Sequence, residues 1–145
     1  MTEPSTAEDL TIDELIDKLL AERQQMLILF CTVAGLSPFT HDKPIETELE
    51  EFCEILIDYV SVGHFETYER MLNNDKGGDS EILKLANQVY PRIVDTTDTA
   101  ISFNDKYDSD SKSVPRDDLD NDLSELISDI AIRIELEDRL INAMR

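Results

Sequence analysis

Apolar residues recur at three- and four-residue spacings along nearly the whole chain, in four runs separated by breakers. The first run predicts a helix from about Ala7 to Ala34, with Leu15, Leu19, Leu20, Leu27 and Phe30 as its stripe. Ser5-x-x-Glu8 and Thr11-x-x-Glu14 both fit a capping box, in which side chain and backbone cap each other at a helix start. Gly35 and then Pro38 end the run in the usual order. The second run opens near Pro44, which a first turn accepts, and reaches about Leu72 before the loop "NNDKGGD". The third spans Ser80 to about Tyr107 through Ile82, Leu85, Ala86, Val89, Ile93, Ile101 and Phe103. Pro91 lies inside it and predicts a kink, because proline removes a backbone donor and crowds the preceding turn. The acidic, serine-rich connection at about 108–118 follows, and the fourth run extends from about Asp118 to Met144 through Leu119, Leu123, Leu126, Ile130, Ile134 and Ile141. Neither strand-like alternation nor an internal repeat is visible. The expected architecture is all-α, an antiparallel four-helix bundle kinked in its third helix near Pro91. It forms one domain over residues 1–145 with a short polar N-terminal segment.

The second run has two faces. On a helix advancing about 100° per residue, Leu49, Phe52, Cys53, Leu56, Val60 and Met71 share a core seam, with Tyr59 at its border. Gly63 falls in the same seam, where a missing side chain permits close approach of a neighbouring helix. The opposite side carries Glu51, Glu54, Asp58, Ser61, Phe65 and Glu69 at spacings of three or four, flanked by Ile55, Val62 and Leu72. Carboxylates around a phenylalanine suit an apolar and basic partner. The plainer alternative is that Phe65 packs on a neighbouring helix of the same bundle.

Charge sharpens the first of these readings. The net charge of −20 over 145 residues repels nucleic acid and anionic membranes, and it favours fast encounter with a basic protein. The same charge is also compatible with a merely soluble acidic protein. Hydrophobic residues at 41% are enough for a folded core. Cys31 and Cys53 sit in apolar runs without CxxC spacing and read as buried small hydrophobes. The chain opens with a polar stretch and carries no apolar run of membrane-spanning length, so a cytoplasmic protein is expected.

Catalytic chemistry finds little support. A di-metal carboxylate bundle needs inward Glu-x-x-His motifs, but Pro38 and Ser61 stand three residues before His41 and His64, the two histidines. His64 is either a hydrogen-bonded structural residue or a group titrating near neutral pH. No nucleophile elbow or phosphate-binding glycine loop occurs. The expectation is a binding protein without enzymatic activity, cofactor or metal.

The stretch "LEEFCEILIDYVSVGHFETYERML", Leu49 to Leu72, resembles the signature of the Rsd/AlgQ family of bacterial anti-sigma factors. The resemblance is carried by Asp58-Tyr59, Ser61, Gly63-His64-Phe65 and Tyr68-Glu69-Arg70. "ERQQMLILFCTVAGLSP", Glu22 to Pro38, is similar to the end of the family's preceding helix. The segment Leu126 to Ile141, with its Leu136-Glu137-Asp138-Arg139, is similar to the family's last helix. The resemblance implies a helical bundle that binds region 4 of the primary sigma factor and reduces its use by RNA polymerase. It also implies that Asp58, Ser61 and Phe65 bind sigma: Asp58 to a basic or donor group, Ser61 as a small polar contact, Phe65 in an apolar pocket. Glu54 and Glu69 on the same stripe, and Val62 at its flank, join them as neighbours. The alternative function is an acidic helical adaptor or chaperone for another basic polypeptide.

Overall fold

The computed structural model describes residues 11–36, 41, 43–61, 80–107 and 116–144. Among them stand four α-helices and no strand: α1 (Ile12–Ala34), α2 (Ile45–Ser61), α3 (Ser80–Tyr107) and α4 (Arg116–Met144). Residues 62–72 of the second expected helix, including Val62, Gly63, Phe65 and Glu69, lie outside the described residues, as does the connection at 108–115.

Local chemistry sets the ends of α1. Thr11 Oγ1 accepts a hydrogen bond from the Glu14 backbone N–H, while Glu14 Oε1 accepts one from the Thr11 N–H, both at 3.1 Å. Thr11-x-x-Glu14 is therefore the box at the start of α1; Ser5 and Glu8 lie outside the described residues. The hydrogen bonds from Thr11 hold the Glu14 carboxyl below its usual range. At the other end Gly35 adopts φ +69°, and the N–H groups of Gly35 and Leu36 close on the carbonyls of Thr32 and Cys31. A Cβ there would be strained by that backbone and would stand 3.2 Å from His41 Nε2. Pro44 immediately precedes α2, and its carbonyl accepts from the N–H groups of Thr47 and Glu48. α3 continues through Pro91, which sits on an exposed side.

The helices bury their apolar stripes against one another. Ile16, Leu19, Met26, Phe30 and Val33 of α1 join Leu49, Phe52, Leu56 and Val60 of α2 in one cluster, with Ala100, Phe103 and Tyr107 of α3 and Leu119, Leu123, Leu126 and Ile130 of α4. A second cluster holds Ala86, Val89 and Ile93 against Leu140. Each large apolar side chain so enclosed stabilises by about 1.5–3 kcal/mol. Phe52 stands edge-on to Phe30 at 6.0 Å and to Phe103 at 5.8 Å, joining three helices through one ring. Contacts between α3 and α4 run in opposite chain order, Tyr107 with Asp122, Thr99 with Asp129 and Thr97 with Arg133, the order an antiparallel hairpin requires.

Two expectations need correction. Ile101, read as an apolar member of the third helix, is 42% exposed; the buried face at this level is Thr96, Thr97, Ala100 and Phe103. Tyr59 does not border the α2 seam but lies at its centre with no exposed surface, because its hydroxyl finds a buried acceptor.

Where α3 meets the start of α4, Asp122 accepts from the Tyr107 hydroxyl and pairs with Lys106 Nζ at 2.8 Å. The Lys106 ammonium, then the Tyr107 hydroxyl, hold the Asp122 carboxyl below its usual range. Burial, and then Asp122, push the Tyr107 phenol well above the ordinary tyrosine value. A lowered carboxylate pKa contributes stability above the unfolded value of about 4 that is lost as pH falls through the folded value. The urea midpoint of native protein should therefore exceed that of Asp122→Asn by a constant margin near neutrality. That margin should shrink on acidification below about pH 4; one that persists unchanged at pH 3 would contradict the assignment.

Candidate partner-binding site

The described part of the sequence-predicted stripe lies on the outer side of α2. Glu54 and Asp58 are exposed and Ser61 is half-buried, following one another at helical spacings of four and three. Glu51, one turn before Glu54, is half-buried and pairs with Lys43 Nζ at 2.6 Å. Glu54 and Asp58 face no cation among the described residues, so their charge is available to a partner. Ile55, expected to flank the stripe, is half-buried and packs against the core cluster. Of the six predicted contact residues, Glu54, Asp58 and Ser61 thus share one described face; Val62, Phe65 and Glu69 lie outside the described residues.

What orients this face is directly behind it. Tyr59 and Val60, between Asp58 and Ser61 in the chain, are both buried. Tyr59 donates its hydroxyl hydrogen to Glu137 Oε1 of α4 at 2.6 Å. Burial, and then the charge of Glu137, hold the phenol far above the ordinary tyrosine value, so it stays a donor. The Val60 carbonyl accepts from Arg133 Nη2 at 3.2 Å. The Arg133 side chain has no exposed surface, and Nε and Nη1 find buried acceptors as well. Nε donates to Glu137 Oε2 at 3.0 Å, and Nη1 reaches Thr97 Oγ1 at 2.7 Å, Thr96 Oγ1 at 3.1 Å and the Ile93 carbonyl at 3.4 Å. Both threonine hydroxyls in turn donate to the Ile93 carbonyl. Arg23 of α1 completes the layer, meeting Asp138 at 2.9 Å and Glu137 at 3.4 Å. Arg133 also stands 5.4 Å from the centre of the Tyr59 ring.

Sequence reasoning missed this layer, although it carried a signal. In α4 the spacing Leu119, Leu123, Leu126, Ile130 continues as Arg133, Glu137 and Leu140, which places two charged residues at seam positions. Arg23 stands likewise between Leu19 and Met26 in α1.

The rest of the surface shows less. Near the α1–α2 turn, His41 Nδ1 bonds to the buried carboxylate of Glu48, and a shallow groove is lined by Leu29, Thr32, Val33, Lys43, Glu48 and Glu51. No group of three or more His, Cys, Asp or Glu able to hold a metal occurs among the described residues. Among the same residues no helix is long and apolar enough to cross a membrane.

Comparison with known proteins adds a family-level match. The family "Regulator of RNA polymerase sigma(70) subunit, Rsd/AlgQ" matches residues 3–145. A relative from Yersinia enterocolitica named Regulator of sigma D is 36% identical over 135 residues, covering 89% of this chain and 79% of its own. Proteins of the same name from Yersinia pseudotuberculosis and Salmonella arizonae are 34% and 31% identical over 135 residues, covering 78% and 80% of their own lengths. No solved structure gives a significant match.

Proposed function

The chain belongs to the Rsd/AlgQ family, and from that premise we propose that it is an anti-sigma factor. Its partner is region 4 of the primary sigma factor, and holding that region withdraws the sigma factor from RNA polymerase. The reading is supported above all by the outer face of α2, where Glu54, Asp58 and Ser61 stand together with carboxylates that no described cation neutralises. A promoter-recognising sigma region is basic where it meets phosphates, so an exposed acidic face matches it in charge. The net charge of −20 adds long-range steering to that local match. Asp58 engages a basic or donor group, Ser61 makes a small polar contact, and Phe65 fills an apolar pocket. Glu54, Val62 and Glu69 form the margin of the contact. The protein acts in the cytoplasm, where RNA polymerase is, and without catalysis.

The site is tested by adding unlabelled sigma region 4 to isotope-labelled protein and following backbone amide shifts. The largest changes are expected at Glu54, Asp58 and Ser61, with Asp58→Lys abolishing most of them. Changes concentrated instead on the acidic α3–α4 face, around Asp95, Asp98 and Asp129, would place the partner elsewhere.

A further inference from the structure

Arg23, Tyr59, Thr96, Thr97, Arg133 and Glu137 meet at one level of the bundle, where the apolar repeats of the helices would otherwise bring hydrocarbon together. Arg133 and Glu137 are 0% and 4% exposed, so neither can touch a partner. Stability alone does not account for such a layer, because apolar residues of similar volume often serve a core as well or better. Directional bonds add a fixed register. A small turn or slide of α2 would be tolerated by non-directional apolar contacts but would break the bonds to Tyr59 and Val60.

We propose that Arg133 is a positioning residue for the partner-binding face. It ties α3 and α4 directly to the Val60 carbonyl and, through Glu137, to the Tyr59 hydroxyl. Tyr59 and Val60 are thereby held inward, and Asp58 and Ser61, on either side of them in the chain, present their outer face. The inference rests on the proposed function and extends it to a residue that lies behind α2, has no exposed surface and so cannot itself touch the partner.

The test combines amide exchange with titration of sigma region 4, on the native protein and three variants. Tyr59→Phe keeps the ring and removes the bond to Glu137; Arg133→Lys keeps the charge and cannot span the same acceptors. Leu123→Ala lowers stability from a buried site ten residues earlier in α4, outside the network. In Tyr59→Phe and Arg133→Lys, exchange at 58–61 should accelerate selectively and affinity should fall about tenfold, the scale of a lost hydrogen bond to a charged group. In Leu123→Ala, affinity should stay native under conditions where the protein is folded. The positioning role is overturned if Tyr59→Phe and Arg133→Lys bind like Leu123→Ala, or if their exchange rises evenly through the bundle. A native protein that leaves region 4 unbound refutes the proposed partner, and the exchange pattern separately decides whether Arg133 fixes α2.

Discussion

Replacing Glu137 with leucine is expected to lower the unfolding free energy by about 3–5 kcal/mol, the usual cost of leaving a buried charge without its partner. Arg133 would keep its threonine and carbonyl acceptors but lose the carboxylate that offsets its charge. Tyr59 would lose its acceptor in the same step, and Arg23 would keep only Asp138. For a chain of this length the shift corresponds to roughly 10–15 °C in the thermal midpoint. Pairing the change with Arg133→Met should recover most of the loss, because an apolar pair of similar volume carries no desolvation penalty. Thermal and urea unfolding of the single and double variants measure both effects. A double variant no more stable than Glu137→Leu alone would mean that the layer is not held by the charge pair.

The second large effect concerns binding. Phe65→Ala is expected to weaken capture of sigma region 4 about 30-fold, the scale of a loss near 2 kcal/mol at a contact hot spot. Alanine at Glu54 or at Asp58 should each cost only a few-fold, since exposed charges at a rim contribute roughly 0–1 kcal/mol. The contrast between the aromatic and the carboxylates, measured by titration of the three variants at one salt concentration, matters more than any single value. If Phe65→Ala binds as tightly as the native protein, the apolar centre of the contact is assigned wrongly.

Much of the fold follows from periodicity alone. Leu49, Phe52, Cys53, Leu56 and Val60 share one seam at helical spacing and are all buried. The Thr11-x-x-Glu14 box and Gly35 mark the limits of α1 because each solves a local problem, orphan N–H groups at one end and left-handed backbone at the other. The outward placement of Glu54 and Asp58 is the complement of the same seam.

Long-range polar pairing was not legible in this way. Tyr59 looked marginal because a tyrosine can serve core or surface, and only Glu137, distant in the chain, decides the matter. Arg133 and Glu137 look like an ordinary exposed i, i+4 ion pair until the other helices close around them. Ile101 failed for the converse reason: its spacing fits the third helix, but Thr96 and Thr97 take the inward positions to serve Arg133. The three stretches that resemble the family meet in this layer, through Arg23, through Tyr59, and through Glu137 and Asp138. A local reading could quote each stretch but could not bring them together.

Calorimetric titration of the native protein with region 4 of the primary sigma factor, at low and at moderate salt, tests the central claim most directly. One-to-one binding that weakens as salt screens the exposed carboxylates is the expected result. No heat of binding at either salt, with both proteins folded, would contradict it and leave the acidic face of α2 to a different basic polypeptide.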